Sequence, residues 1–152
     1  MTDTLAEQRA APATLAQLIS GVPEDALHRR PAPGKWSVVE IIAHMAEDEL
    51  TSSWRYRQMI EHDGLPLLGF DQELWARLGD YSSWTARDAL DMYRLLRLAN
   101  VALLSRLTAA EWDRSGNHAE RGRITVRSLA AHMAGHDRNH IEQIKRILAG
   151  SV

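Results

Sequence analysis

Apolar residues in this chain recur at helical spacing in four long stretches, separated by polar or Gly/Pro-containing joints. Ala86, Ala89, Leu90, Tyr93, Leu96, Leu103, Leu104 and Leu107 form one stripe, which predicts a long helix opening at Thr85. An Ala/Leu/Gln-rich stretch over residues 3–20 predicts a first helix, with Pro12 expected to kink it or mark a late start. Gly21-Val22-Pro23 and Pro31-Ala32-Pro33-Gly34 break the chain after it. Ser37-Val38-Val39-Glu40 is a capping box, with Trp36 and Ile41 placed as a hydrophobic staple, so a second long helix runs from there to about His62. Residues 63–84 read as irregular apart from a short helix around Asp71–Leu78. Thr108-Ala109-Ala110-Glu111 repeats the capping-box pattern and predicts a short helical turn. Thr125 caps a last helix over roughly 126–149, which stops at Gly150. No stretch alternates as a strand would. The expected fold class is all-α, a four-helix bundle, with residues 1–152 forming one domain.

Composition narrows the partners. The chain has 152 residues, 45% hydrophobic and 25% charged, with a formal charge of −2. Lys and Arg are spread along it, so there is no electrostatic reason to expect nucleic acid or an anionic membrane surface. The longest apolar runs are only a few residues, such as Pro66–Phe70, and predict no membrane span. The start, Met1-Thr2-Asp3-Thr4, lacks the features of a signal peptide, so a cytoplasmic location is expected. The absence of cysteine excludes disulfides, cysteine-ligated zinc and a cysteine nucleophile. Any thiol chemistry must bring its thiol with a substrate.

The candidate chemistry lies in the histidines, which stand at 28, 44, 62, 118, 132, 136 and 140. His132, His136 and His140 follow one another at i, i+4 on the last helix. Neighbours at that spacing share a face and can converge on one ion, but His132 and His140 are about 12 Å apart along the axis. The pair is therefore His132/His136 or His136/His140, and spacing does not choose. His44, two turns into the second long helix, is the natural third ligand. The plainer alternative is a set of core histidines hydrogen-bonded to carbonyls or carboxylates.

The segment Gly34-Lys35-Trp36-Ser37-Val38-Val39-Glu40-Ile41-Ile42-Ala43-His44 resembles the entry to the second helix of the DinB-like family, also called YfiT-like metal-dependent hydrolases. The segment His136-Asp137-Arg138-Asn139-His140-Ile141-Glu142-Gln143-Ile144 resembles that family's second signature, H-D-x-x-H-[LI]-x-Q-I. The resemblance implies a four-helix bundle of the DinB/YfiT-like type and a three-histidine metal site made of His44, His136 and His140, with His132 outside the ligand set. It also implies a divalent ion, nickel or zinc, which an all-imidazole site does not discriminate strongly, and a homodimer. Some members are similar to thiol transferases or isomerases that use low-molecular-weight thiols, while others carry only the hydrolase name.

Three imidazoles leave coordination positions open, the mark of a catalytic site. The expectation drawn here is a metal-dependent enzyme acting on a small molecule, activating or transferring a low-molecular-weight thiol as co-substrate. The alternatives are a hydrolase using water and a non-catalytic, stress-associated metal-binding bundle. Asp48, at i+4 from His44, is the candidate catalytic base, or an acceptor orienting a ligand, or a solvated carboxylate at the bundle mouth. Thr51 and Arg55 return to the same face, and Arg55 could meet an anionic thiol substrate, although exposure is its plainer reading. Asn100 interrupts an apolar stripe and needs buried partners. Gln143 is placed for a hydrogen bond near the ligands, His118 lies in the loop before the last helix, and Asp137 reads as structural. Trp75 and Trp84 flank the irregular connection, where they complete the core or wall a cleft.

Overall fold

Side-chain caps set where the helices begin. Ser37 Oγ accepts the Glu40 N–H at 3.3 Å while the Glu40 carboxylate accepts the Ser37 N–H at 2.8 Å. Thr108 with Glu111 and Thr125 with Ser128 repeat the arrangement, and Asp71 caps a short helix through two backbone N–H groups. Each such cap stabilises its helix by about 1 kcal/mol. The computed structural model describes residues 2–150. In chain order it contains α1 (Thr2–Ile19), α2 (Glu24–His28), α3 (Val38–Glu61), β1 (Leu65–Leu67), α4 (Gln72–Leu78), a 3-10 turn (Tyr81–Ser83), α5 (Ala86–Leu104), α6 (Ala109–Trp112), β2 (Ser115–His118), β3 (Gly122–Thr125) and α7 (Val126–Leu148). The long helices α1, α3, α5 and α7 form a four-helix bundle.

α3 packs on α5 and α7, and α1 packs on the same two helices, so α1 and α3 occupy opposite corners. Two apolar clusters fill the bundle. One gathers Leu15, the start of α3 from Val38 to Ala46, Tyr93 and Ile144; the other gathers Met59, Leu104, Leu129 and Met133. α3 and α5 enter the first cluster before the second, and α7 does the reverse. α3 and α5 are therefore parallel neighbours, and residues 62–85 must return along the bundle to join them. That return carries β1 and α4 over the side of the bundle. Among the described residues, no helix is long and apolar enough to cross a membrane.

Two local expectations are corrected. α1 begins well before Pro12 and continues past it, so the proline does not mark a late start. Proline at that position has no N–H for the Gln8 carbonyl one turn earlier, and Arg97 of α5 donates to that carbonyl instead, Nη1 to O at 3.2 Å. The second correction is a small sheet in the order β1-β2-β3, with β1 parallel to β2 and β2 antiparallel to β3. Its strands are three or four residues long and include Pro66, Gly116 and Gly122. Alternation has too little length to show there, and those residues are depleted in strands. The sheet joins the end of α3 to the start of α7: Gly64 N–H donates to Ser115 O at 2.8 Å and Val126 N–H to Arg114 O at 2.9 Å.

Candidate metal centre

The sheet and the two clusters fix α3 against α7, and His44 of α3 meets His136 and His140 of α7. His44 Nε2 and His140 Nε2 each lie 3.1 Å from His136 Nε2. The three ligand atoms all fall within 4.8 Å of one another. Nitrogens sharing a tetrahedral ion at bond lengths of about 2.0–2.1 Å stand roughly 3.3 Å apart, so the spacing suits one divalent ion. Asp48 Oδ2 adds a fourth polar atom, 3.2 Å from His136 Nε2.

His136 Nε2 carries one lone pair or one proton, yet three polar atoms crowd it. Hydrogen bonding cannot satisfy all three contacts, whereas a cation among them can. His136 Nδ1 is buried with no hydrogen-bond partner, so every polar contact of this ring is made at Nε2. His140 Nδ1 lies 2.8 Å from Gln143 Oε1. A proton donated to that amide oxygen leaves the Nε2 lone pair facing inward, as a ligand requires.

Burial, with the neighbouring imidazole of His140, pushes His44 down to about 4. His136 is lowered further by burial and by His140 and His44, and burial lowers His140 against its bond to Gln143. All three rings are therefore neutral near physiological pH, the form that binds metals. Burial pushes the Asp48 carboxyl up to about 6, with Arg55 and Arg121 pulling against it. The ring of Trp36 packs on His44 with centroids 5.0 Å apart.

A cavity of about 600 Å³ opens beside the triad, lined by Asp48, Arg55, His118, Arg121 and His132, among others. His132 stands outside the triad, its ring 6.3 Å from that of His136. His118 lies on β2, buried, rather than in an exposed loop. The Thr51 hydroxyl donates back to the Glu47 carbonyl, 3.0 Å away. Trp75 lines a neighbouring groove, and Trp84 donates to Gly79 O at 2.9 Å; neither lines this cavity.

Beneath the triad lies a buried polar layer that sequence reasoning found only in part. Asn100 donates to Glu49 Oε1 at 2.8 Å, not to a histidine, and Asp137 accepts from Tyr93 Oη at 2.8 Å. Arg97, missed entirely, donates to Glu49 Oε2 at 2.7 Å and pairs with Asp137. A signal for it existed: Ala89, Tyr93, Arg97, Asn100 and Leu104 follow one buried face of α5 at steps of three and four.

A helical bundle with a histidine triad joining two of its helices is a scaffold for metal chemistry. Residues 8–144 match the DinB superfamily model, and the chain belongs to that superfamily. OB0413 of Oceanobacillus iheyensis is 26% identical over 137 residues, covering 90% of this chain and 79% of that protein. GK0616 of Geobacillus kaustophilus is 24% identical over 141 residues, covering 92% and 79%. Both bear the name of proposed metal-dependent hydrolases. The solved structure of YfiT from Bacillus subtilis, described as a probable metal-dependent hydrolase with an unusual four-helix bundle topology, superposes with a TM-score of 0.91. That match covers 97% of this chain and 85% of the other at 21% identity, a likeness of fold.

Proposed function

We propose that this protein is a cytoplasmic, metal-dependent hydrolase of a small molecule, in which His44, His136 and His140 hold one nickel or zinc ion and Asp48 is the general base. The observation that carries this reading is the position of Asp48, with Oδ2 3.2 Å from the inward nitrogen of His136. A divalent ion bound at the triad supplies Lewis acidity, lowering the pKa of a nucleophile and polarising the group it attacks. Gln143 fixes the His140 ring, and Trp36 packs against His44. Asp48, one turn after His44, faces both triad and cavity, where it can take the nucleophile's proton. The names borne by relatives support the reaction class.

Thiol transfer is the second reading, and the cavity supports it. Its volume of about 600 Å³ far exceeds the roughly 30 Å³ share of one water. With no cysteine in the chain, the thiol would enter as a co-substrate and give its proton to Asp48. Metal analysis and turnover of wild type and Asp48→Asn test both readings. About one ion per chain is expected in each protein, with ester or amide hydrolysis at least about a hundredfold slower in the variant. Turnover that requires an added low-molecular-weight thiol selects the second reading. No bound ion after incubation with nickel and zinc overturns both.

A further inference from the structure

We propose that the cavity beside the triad takes a substrate bearing a carboxylate, seated between the guanidinium groups of Arg55 and Arg121. This rests on the functional reading above only in assigning the cavity to the substrate.

Helix geometry lays a charged axis along the cavity. Asp48, Ser52 and Arg55 stand at i, i+4 and i+7 on α3 and all line it. Arg55 is therefore about 10 Å along the helix axis from Asp48, at about 1.5 Å per residue. Arg121 reaches the same space from the turn between β2 and β3. The pairing of His118 with Gly122 leaves residues 119–121 as that turn, and Gly122 closes it at φ 69°.

Neither guanidinium has an ion pair among the described residues. Arg55 Nη2 donates to the Leu68 carbonyl at 2.6 Å, and Cζ lies 5.9 Å from the Phe70 ring centre. These contacts hold the group at the cavity wall and leave most of its N–H donors free. Arg121 makes no hydrogen bond to a described residue and is exposed at the turn. Burial disfavours the Arg55 cation, Asp48 supports it, and the like charge of Arg121 opposes it. Folding alone does not favour two unpaired like charges turned toward one cavity. An anion held between them relieves the repulsion through charge-assisted hydrogen bonds.

The acidic lining residues leave that role open. Asp71 is committed to its helix cap, accepting N–H bonds from Glu73 and Leu74. Glu120 pairs with neither arginine, and Asp48 lies at the triad end. Neither guanidinium is paired with any of the three lining carboxylates, so both have donors to offer a small anion. The negative charge already in the lining favours a singly charged carboxylate over a phosphate monoester, whose charge near neutral pH is about −1.5 to −2. His118 supplies a further donor: its Nδ1 accepts the Glu120 N–H at 3.2 Å, placing the proton of the neutral ring on Nε2, beside Gly69 in the lining.

NMR titration of isotope-labelled protein tests the assignment, using valerate, its amide and butyl phosphate as probes. Wild type, Arg55→Gln and Arg121→Gln are compared in the chelated form and after loading with zinc. Saturable valerate binding is expected in both forms, at least about tenfold weaker in each variant and absent for the amide. Arg121 is exposed, so its variant tests binding without disturbing a packed contact. Equal affinity for the amide, tighter binding of butyl phosphate, binding unchanged in both variants, or no saturable binding of valerate overturns the proposal. Because the chelated form is measured separately, loss of the metal reading alone leaves this result intact.

Discussion

Arg97 and Asp137 meet in the middle of the bundle, both guanidinium Nη atoms facing both carboxylate oxygens, one residue beyond His136. The same guanidinium reaches Glu49, the residue after Asp48. The polar layer thus grips α3 and α7 immediately beside the groups that face the triad. Removing the cation would leave two buried carboxylates without a counter-charge, which costs about 3–5 kcal/mol. Arg97→Leu is expected to lose that much in urea unfolding and to bind metal more weakly. Arg97→Lys keeps the charge but not the planar fork, and should recover part of the loss. Wild-type stability in Arg97→Leu would show that the layer depends on other contacts.

Metal removal should separate site from scaffold. The apolar clusters are built from residues other than the triad, and the helix caps make no use of it. Chelation is therefore expected to leave the far-UV circular dichroism unchanged and lower the melting temperature only by the ligand-binding contribution. His136→Ala should match the chelated protein in both respects. Collapse of the helical signal on chelation would instead favour the non-catalytic, structural-metal alternative.

The long helices were legible in the sequence because they depend on local periodicity and on caps only a few residues long; helical spacing offered His132/His136 or His136/His140 as the facing pair, and the resemblance chose between them. His44 was named from its place two turns into the second long helix, and the resemblance at Gly34–His44 supported it, although its neighbours His136 and His140 are distant in the chain. Strands as short as Leu65–Leu67 have no period to read. Arg97 was lost for a related reason: a charged residue in an apolar stripe looks like an error until its buried partners, Glu49 and Asp137, are known. The same residue also serves α1, because Arg97 gives the Gln8 carbonyl the donor that Pro12 lacks. The cavity was legible only in fragments, as Arg55 and His118, because the return connection and the β-turn that complete it come from distant segments.

Gly116 tests how strongly the sheet holds the two helices that carry the histidine triad. A Cβ there would lie 2.6 Å from Leu67 Cγ and 2.7 Å from Cδ1, closer than side chains pack. Gly116→Ala is expected to cost about 1–3 kcal/mol, as overpacking does. Adding Leu67→Ala removes the clash, so a double-mutant cycle in denaturant should return a favourable coupling of about 1 kcal/mol. Strict additivity would mean that the strands separate freely and do not set the register of α3 against α7.

The start of α3 gives a pH-dependent test away from the triad. Burial raises the Glu40 carboxyl, but the Arg30 guanidinium and the Ser37 amide and hydroxyl outweigh it, holding the group below its ordinary value of 4.5. A depressed folded pKa means that the stabilisation is complete above the unfolded value and is lost as pH falls through the folded one. Glu40→Gln removes the charge while keeping the size of the side chain. At neutral pH the variant should unfold about 0.5–2 kcal/mol more easily, the usual contribution of a helix cap. The gap should close as pH is lowered below the folded pKa, where the wild-type carboxyl is itself neutral. Arg30→Gln should narrow the pH dependence without abolishing it, because the Ser37 N–H still donates to the carboxylate. A gap between wild type and Glu40→Gln that stays constant down to strongly acidic pH would mean that packing of the Glu40 side chain, not its charge, secures the first turn of the helix that carries His44.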